Sequence, residues 1–178
     1  KNDSLEMYKG RAKLIMEAIE RQKPYNIDVC VYHGARDKVA KNSWLERLAK
    51  LEVGDILDTQ RRFTSASLSF KKALGFASTT KLGVNKKTIG IGRKKVPHYI
   101  VVRYDLPANY KKPMGVYIAG VSQHAHELEM IINPRIKWKV KSIENFTSQE
   151  LKEARIGWDD WLIDGHVPNL RIIRVGPV

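Results

Sequence analysis

The sequence predicts one α+β domain built on a mainly antiparallel β-sheet. Its 178 residues suit a single domain, and 43% hydrophobic with 29% charged residues is a balance that buries a core. Helical patterns come early in the chain and strand patterns late. No βαβ alternation and no internal repeat interrupts that order.

The elements follow from the N-terminus. In residues 1–20, Leu5, Tyr8, Ala12, Ile15 and Ile19 share one helical face, opposite Lys, Arg and Glu, so a helix packed on the core is expected, closed by Pro24. Residues 28–32 form a β-branched and aromatic run, a buried strand ending at His33-Gly34. Ser43 to Glu46 has the capping-box pattern and opens a helix reaching about Lys50, which would bury Trp44, Leu48 and Leu51. Strand character returns at Ile56-Leu57 and again over residues 63–67. A short helix with Phe70, Ala73, Phe76 and Ala77 comes next. Residues 81–97 read as a loop, with six Lys/Arg, no acid and three glycines. Residues 98–106 are a strong strand stopped by Pro107, and residues 115–119 and 127–132 are two more. Ile136, Trp138 and Val140 alternate with Lys137, Lys139 and Lys141, a half-buried strand with one wet face. Thr147 to Glu150 offers a second capping box, and residues 170–175 a last strand.

Composition narrows the function classes. The chain carries 32 Lys+Arg against 19 Asp+Glu, a net charge of +13, which points to polyanionic company: nucleic acid, an acidic protein or a phosphate-rich ligand. The single cysteine, Cys30, excludes a disulfide framework and a multi-cysteine zinc site; in an apolar strand it reads as a buried, inert thiol. No apolar run approaches the roughly 20 residues of a membrane span. The polar first ten residues give no expectation of a signal peptide, and a start at Lys suggests an excised domain or a processed product.

Three segments could carry chemistry. In a strand, residues i and i+2 share a face, so Glu127 and Glu129 would project side by side while Leu128, Met130 and Ile132 face a core. Two carboxylates roughly 6–7 Å apart suit stabilisation of a sugar cation by one and handling of the attacking group by the other. An E-x-E is also commonly just a solvated strand face. Ser65 and Ser67 place two hydroxyls on one strand face, although Ser67 or Ser69 could equally cap the following helix. Val31 to Arg36 ends a buried strand in a polar, glycine-containing turn, where a histidine is either a site residue or a hydrogen-bonded structural one. Lesser signals carry little. Gly90-Ile91-Gly92 lacks the helix that a dinucleotide fingerprint needs. His124 and His126 beside Glu127 lack a fourth metal ligand. Trp158 to Trp161 reads as a surface turn.

Taken together and in order, Val31-Tyr32-His33-Gly34, Phe63 to Leu68 followed by Ala73, Phe76 and Ala77, Val101 to Pro107, and Gly115 to Ile132 with its E-x-E resemble the mono-ADP-ribosyltransferases of the arginine–serine–glutamate class, bacterial toxin and phage enzymes that modify host proteins. The resemblance covers about residues 10–145. It implies a split β-sheet enclosing an NAD cleft, with residues 1–178 forming one catalytic domain and NAD serving as substrate without a metal. It further implies transfer of ADP-ribose to an arginine of a target protein with release of nicotinamide, in the cytoplasm of a host or target cell.

The same resemblance assigns residues. Glu129 matches the catalytic Glu that holds the ribose 2′-hydroxyl and stabilises the oxocarbenium ion. Glu127 matches the acid that positions and deprotonates the acceptor, and a Glu there goes with arginine acceptors. Ser65 would orient Glu129, with Ser67 the second serine of the motif and Ala66 in place of its usual Thr. Gly34 would grip the nicotinamide carboxamide, and Phe76 joins the cofactor-binding set. Residues 123–126 would form the acceptor-recognising turn. One position departs: the family's phosphate-binding Arg falls on His33, as in the diphtheria-toxin class, whose strand also ends Tyr-His-Gly but which lacks the serine motif. Either His33 anchors NAD through ribose hydroxyls or Arg36 supplies the phosphate contact, because imidazole and guanidinium are not interchangeable against phosphate. Rival readings are ADP-ribosylation of a nucleic-acid base and a non-catalytic basic nucleic-acid-binding module. The expected partner is a protein with an accessible arginine and an acidic or nucleic-acid-associated surface, with direct nucleic-acid contact as a further option.

Overall fold

The structure, a computed structural model, describes residues 2–35, 44–57, 59, 62–78, 98–118, 120, 128–154 and 168–178. In chain order the elements are α1 (Asn2–Glu20), β1 (Val29–Gly34), α2 (Trp44–Ala49), β2 (Ile56–Leu57), β3 (Thr64–Ser67), α3 (Phe70–Ser78), β4 (His98–Leu106), β5 (Gly115–Tyr117), β6 (Glu129–Ile132), β7 (Trp138–Phe146), α4 (Ser148–Glu153) and β8 (Asn169–Pro177). The strands form one eight-stranded sheet in the order β2-β7-β8-β4-β1-β3-β6-β5. All neighbours are antiparallel except β4 and β8, so the expected α+β class holds. Among the described residues no helix is long and apolar enough to cross a membrane.

The sheet has a seam. β1 pairs with β4 along its whole length, from Val29↔Leu106 to Gly34↔Val101, but meets β3 at one pair only, Tyr32↔Ser67. Five strands therefore hold together on one side of the seam and three on the other.

Alternation decides which face each strand buries. Val31, Val102, Tyr104, Leu106, Trp138, Val140, Ile173 and Val175 fill one face, which α2 covers with Leu48. Tyr104 and Trp138 meet edge-to-face there, with centroids 5.0 Å apart. Lys139 and Lys141 flank Val140 as exposed residues, the wet-and-dry alternation expected of this strand. On the opposite face α3 sets Ala73 and Leu74 against Tyr99 and Val101, joined by Leu151 of α4 and Leu170. On that same side α1 sets Ile19, with Ile15 and Met16 beside it, against Val116 and Ile131.

Local signals explain the helix ends. The second capping box forms as expected: Thr147 accepts from the Glu150 amide, and the Glu150 carboxylate accepts from the Thr147 amide at 2.6 Å. That bond to the charged form holds the Glu150 carboxyl below its ordinary value. Ser69 caps α3 by accepting from the Lys72 amide at 3.3 Å. The Ser43 half of the first capping box lies outside the described residues.

Two expectations need correction. The apolar stripe of α1 is not buried along its length: Tyr8 is 62% exposed, because only the C-terminal half of the helix lies over the short β5–β6 pair. Cys30 is half-buried rather than buried, on the strand face that α3 leaves open, with its Sγ 3.4 Å from the Tyr32 hydroxyl.

Candidate active site at the seam of the sheet

Ser65 lies on β3 and Glu129 on β6, two paired strands. The register sets Ser67 opposite Glu129 and Ser65 opposite Ile131, so Ser65 and Glu129 are diagonal neighbours on one face. A long side chain spans that diagonal. The Ser65 hydroxyl donates to Glu129 Oε1 at 2.6 Å, the short distance typical of an O–H donor on an ionised carboxylate.

His33 approaches from β1, across the seam. Its Nδ1 lies 2.7 Å from the Ser65 carbonyl oxygen. A carbonyl only accepts, so Nδ1 carries the proton and, in the neutral ring, Nε2 carries the lone pair. Burial lowers the His33 pKa below its ordinary value, and the bond to Ser65 opposes that only in part, so the ring is neutral at pH 7. A side chain of one half-sheet thus fixes the backbone of Ser65 in the other, and Ser65 in turn fixes Glu129.

Ser67 plays a different part. It is buried, and its hydroxyl accepts from the Ser69 amide at 3.0 Å, shaping the turn into α3. Gly34 is buried under α3, where an added Cβ would stand 1.8 Å from the Ala73 carbonyl oxygen and 2.7 Å from the Ala77 amide. The helix packing alone thus demands glycine here. Phe76 sits at an exposed position of α3; the aromatic that packs on Tyr32 is Phe70, edge-to-face at 5.4 Å.

The expectation that Leu128 faces the core ahead of Met130 and Ile132 is overturned. β6 begins at Glu129, and Leu128 before it has φ 52°, in the left-handed region. Leu128 is 38% exposed instead of facing the core, while Met130 and Ile132 are buried as expected. The left-handed residue breaks the strand's period of two just before Glu129. The Leu128 carbonyl accepts from the Leu68 amide at 3.2 Å, which ties this turn to the one after Ser67. Neither the left-handed turn nor its tie to Leu68 has a sequence signal, since a leucine favours neither.

Glu127, Arg36, the acceptor turn at residues 123–126, the glycine pair of residues 90–92, the basic loop at 81–97 and the Trp158 to Trp161 segment lie outside the described residues. Among the described residues no group of three His, Cys, Asp or Glu converges as a metal site would require.

Neither a protein-family profile nor a curated protein matches the sequence. Solved structures do match. The Vis toxin, an ADP-ribosyltransferase from Vibrio splendidus, is 20% identical with a TM-score of 0.51, over 100% of this chain and 62% of its own. The enzymatic component C2-I of the C2-toxin from Clostridium botulinum is 14% identical with a TM-score of 0.54, over 97% of this chain and 36% of its own. The ADP-ribosylating toxin BECa of C. perfringens is 14% identical with a TM-score of 0.51, over 91% of this chain and 33% of its own. The chain thus spans less than two thirds of each. At these identities the likeness speaks to architecture, and with the seam between β1 and β3 it establishes that this chain has the ADP-ribosyltransferase fold.

Proposed function

We propose that the chain is an NAD-dependent mono-ADP-ribosyltransferase that moves ADP-ribose from NAD to an arginine side chain of a target protein and releases nicotinamide. The observation that carries this reading is the Ser65–Glu129 hydrogen bond of 2.6 Å at the seam of an ADP-ribosyltransferase fold. BECa, of the same fold, is solved with NADH, which supports a nicotinamide dinucleotide as the ligand.

In this reading the bond between ribose C1′ and the nicotinamide nitrogen breaks with its electron pair leaving on nicotinamide. Nicotinamide departs neutral, so no general acid is needed. Positive charge builds on the ribose, and the Glu129 carboxylate, held by Ser65, stabilises it. A guanidine nitrogen of the acceptor then bonds to C1′, and its proton passes to a carboxylate. Arginine, with a pKa above about 12, needs such a base close by, and Glu127 is assigned to it. The Nε2 lone pair of neutral His33 suits a ribose hydroxyl and not a phosphate, which leaves the pyrophosphate to Arg36. Gly34 lines the nicotinamide end. The 178 residues act as one catalytic domain, in the cytoplasm of a target or host cell.

The test is nicotinamide release from NAD, measured with and without an arginine-bearing acceptor. Glu129→Gln is expected to lower both release and transfer by about 10²–10³-fold or more. Glu127→Gln is expected to retain release and lose transfer. Unchanged release in Glu129→Gln would overturn the assignment.

A further inference from the structure

Cross-strand neighbours share a face of the sheet. One row runs Glu129↔Ser67↔Tyr32↔Arg103↔Arg174↔Ser142, from β6 through β3, β1, β4 and β8 to β7. At about 4.8 Å per strand, Arg103 stands roughly 14 Å and Arg174 roughly 19 Å from Glu129 along it. Phe70, on top of Tyr32, separates the Glu129 end from the arginine end.

α3 and α4 cover this face only at the N-terminal ends of β4 and β8. The other end is open. Arg103 donates to Asp105 Oδ1 at 2.9 Å and Arg174 donates to Asp105 Oδ2, so two guanidiniums share one carboxylate and keep a net positive charge. Lys137, Lys139 and Lys141 stand exposed on the neighbouring strand and its approach. Lys141 sits at the bulge between Val140 and Ser142, and its aliphatic stem lies across Gly176 of β8, where an added Cβ would come within 2.9 Å of its Cε. Glycine there gives the lysine a slot. Among the described residues at this end of the face, Glu144 is the one other acid, displaced toward α4. Ile56, 48% exposed, pairs with Lys139 and adds an apolar contact.

We infer that this open end of the sheet is a docking surface for an acidic protein, the target whose arginine is carried to Glu129. That the occupant is the target rests on the transferase reading above. Charge complementarity selects the occupant: among the described residues of this open end, five cations stand beside two acids, one of them already shared by two arginines. A protein is favoured over nucleic acid by shape and chemistry. Among the described residues, the half-buried aromatics of this face, Tyr32, Phe70 and Phe146, are packed into the cluster beneath α3 and α4, and the open end offers none for bases to stack on. Among the described residues this end also presents no protruding helix or two-stranded ribbon of the kind that enters the major groove. Carboxylates and a small apolar contact are what the surface can satisfy.

The experiment measures binding of fluorescent poly-L-glutamate and of a 20-base-pair DNA duplex at several salt concentrations. Three proteins are compared: the unaltered chain, Lys139→Glu/Lys141→Glu, and the charge-matched Lys9→Glu/Lys13→Glu on α1, at the far end of the sheet. The expected result is poly-glutamate affinity weakened about tenfold or more in the β7 variant and little changed in the α1 variant. Equal loss in both variants, no binding at all, or tighter β7-dependent binding of the duplex would each overturn the inference. Binding needs no NAD, and nicotinamide release should be unchanged in the β7 variant, so failure of docking and failure of the transferase reading are separable.

Discussion

His33 holds the Ser65 carbonyl at 2.7 Å, and burial lowers its pKa below the ordinary histidine value. The direction of that shift sets a pH window. In the unfolded chain the ring takes up a proton near pH 6.5, whereas in the folded chain it does so only at lower pH. Between those values the unfolded state binds more protons, so stability rises with pH, is fully present above about 6.5, and falls as the solution is acidified. Asparagine at this position keeps an N–H donor near the place of Nδ1 but does not titrate. Thermal unfolding from pH 8 to pH 5 should therefore show a steeper loss in the unaltered protein than in His33→Asn. Parallel curves for the two proteins would remove His33 as the titrating group. The same proton inventory bears on function, because only the neutral ring offers Nε2 as an acceptor for a hydroxyl.

The contact between β1 and α3 shows how tightly the elements around the site are joined. Gly34 lets the helix backbone lie directly on the strand, since any Cβ would strike the Ala73 carbonyl oxygen. Gly34→Ala must push α3 outward, a cost of about 1–3 kcal/mol that corresponds to a Tm lower by roughly 2–12 °C in calorimetry. An unchanged Tm would mean that α3 moves away freely and is not held against β1 by this contact. Such close contacts mark the limit of what could be read from the chain. The Lys137–Lys141 alternation announced β7, and Thr147 with Glu150 announced the start of α4, because both patterns are local. The Ser65–Glu129 bond was also accessible, through the order of the motifs. The Arg103–Asp105–Arg174 trio was not, since it depends on the parallel register of β4 and β8, about 70 residues apart in sequence. Nor was the break at Leu128, where tertiary ties override a residue's ordinary preference for φ below zero.

The seam divides the molecule unequally, and its two parts differ in how they are held. β1, β4, β7 and β8 form long ladders, with nine-residue strands in β4, β7 and β8, and bury Tyr104, Trp138 and Ile173 completely. The other part is shorter: β3 and β6 are four residues each and β5 three, and β5 ends the sheet. One strand pair and the His33–Ser65 bond are among the polar links across the seam near the site. Local opening draws on the less extensively paired regions first, so the β3, β5 and β6 amides should exchange with solvent at a lower free energy than those of β4 and β8. Ser65 and Glu129 lie in that weaker part, whereas His33 and Gly34 lie in the stronger one. A dinucleotide touching both sides would bridge the seam and bind the closed arrangement alone, which stabilises it in proportion to ligand concentration over Kd. Native-state hydrogen exchange with and without NAD tests this directly. NAD is expected to slow exchange in β3 and β6 selectively and to leave β4 and β8 unchanged, and His33→Ala is expected to speed it. Equal protection on the two sides of the seam without NAD would show that the single Tyr32↔Ser67 pair couples them as firmly as a full ladder, and the two-part description would fall.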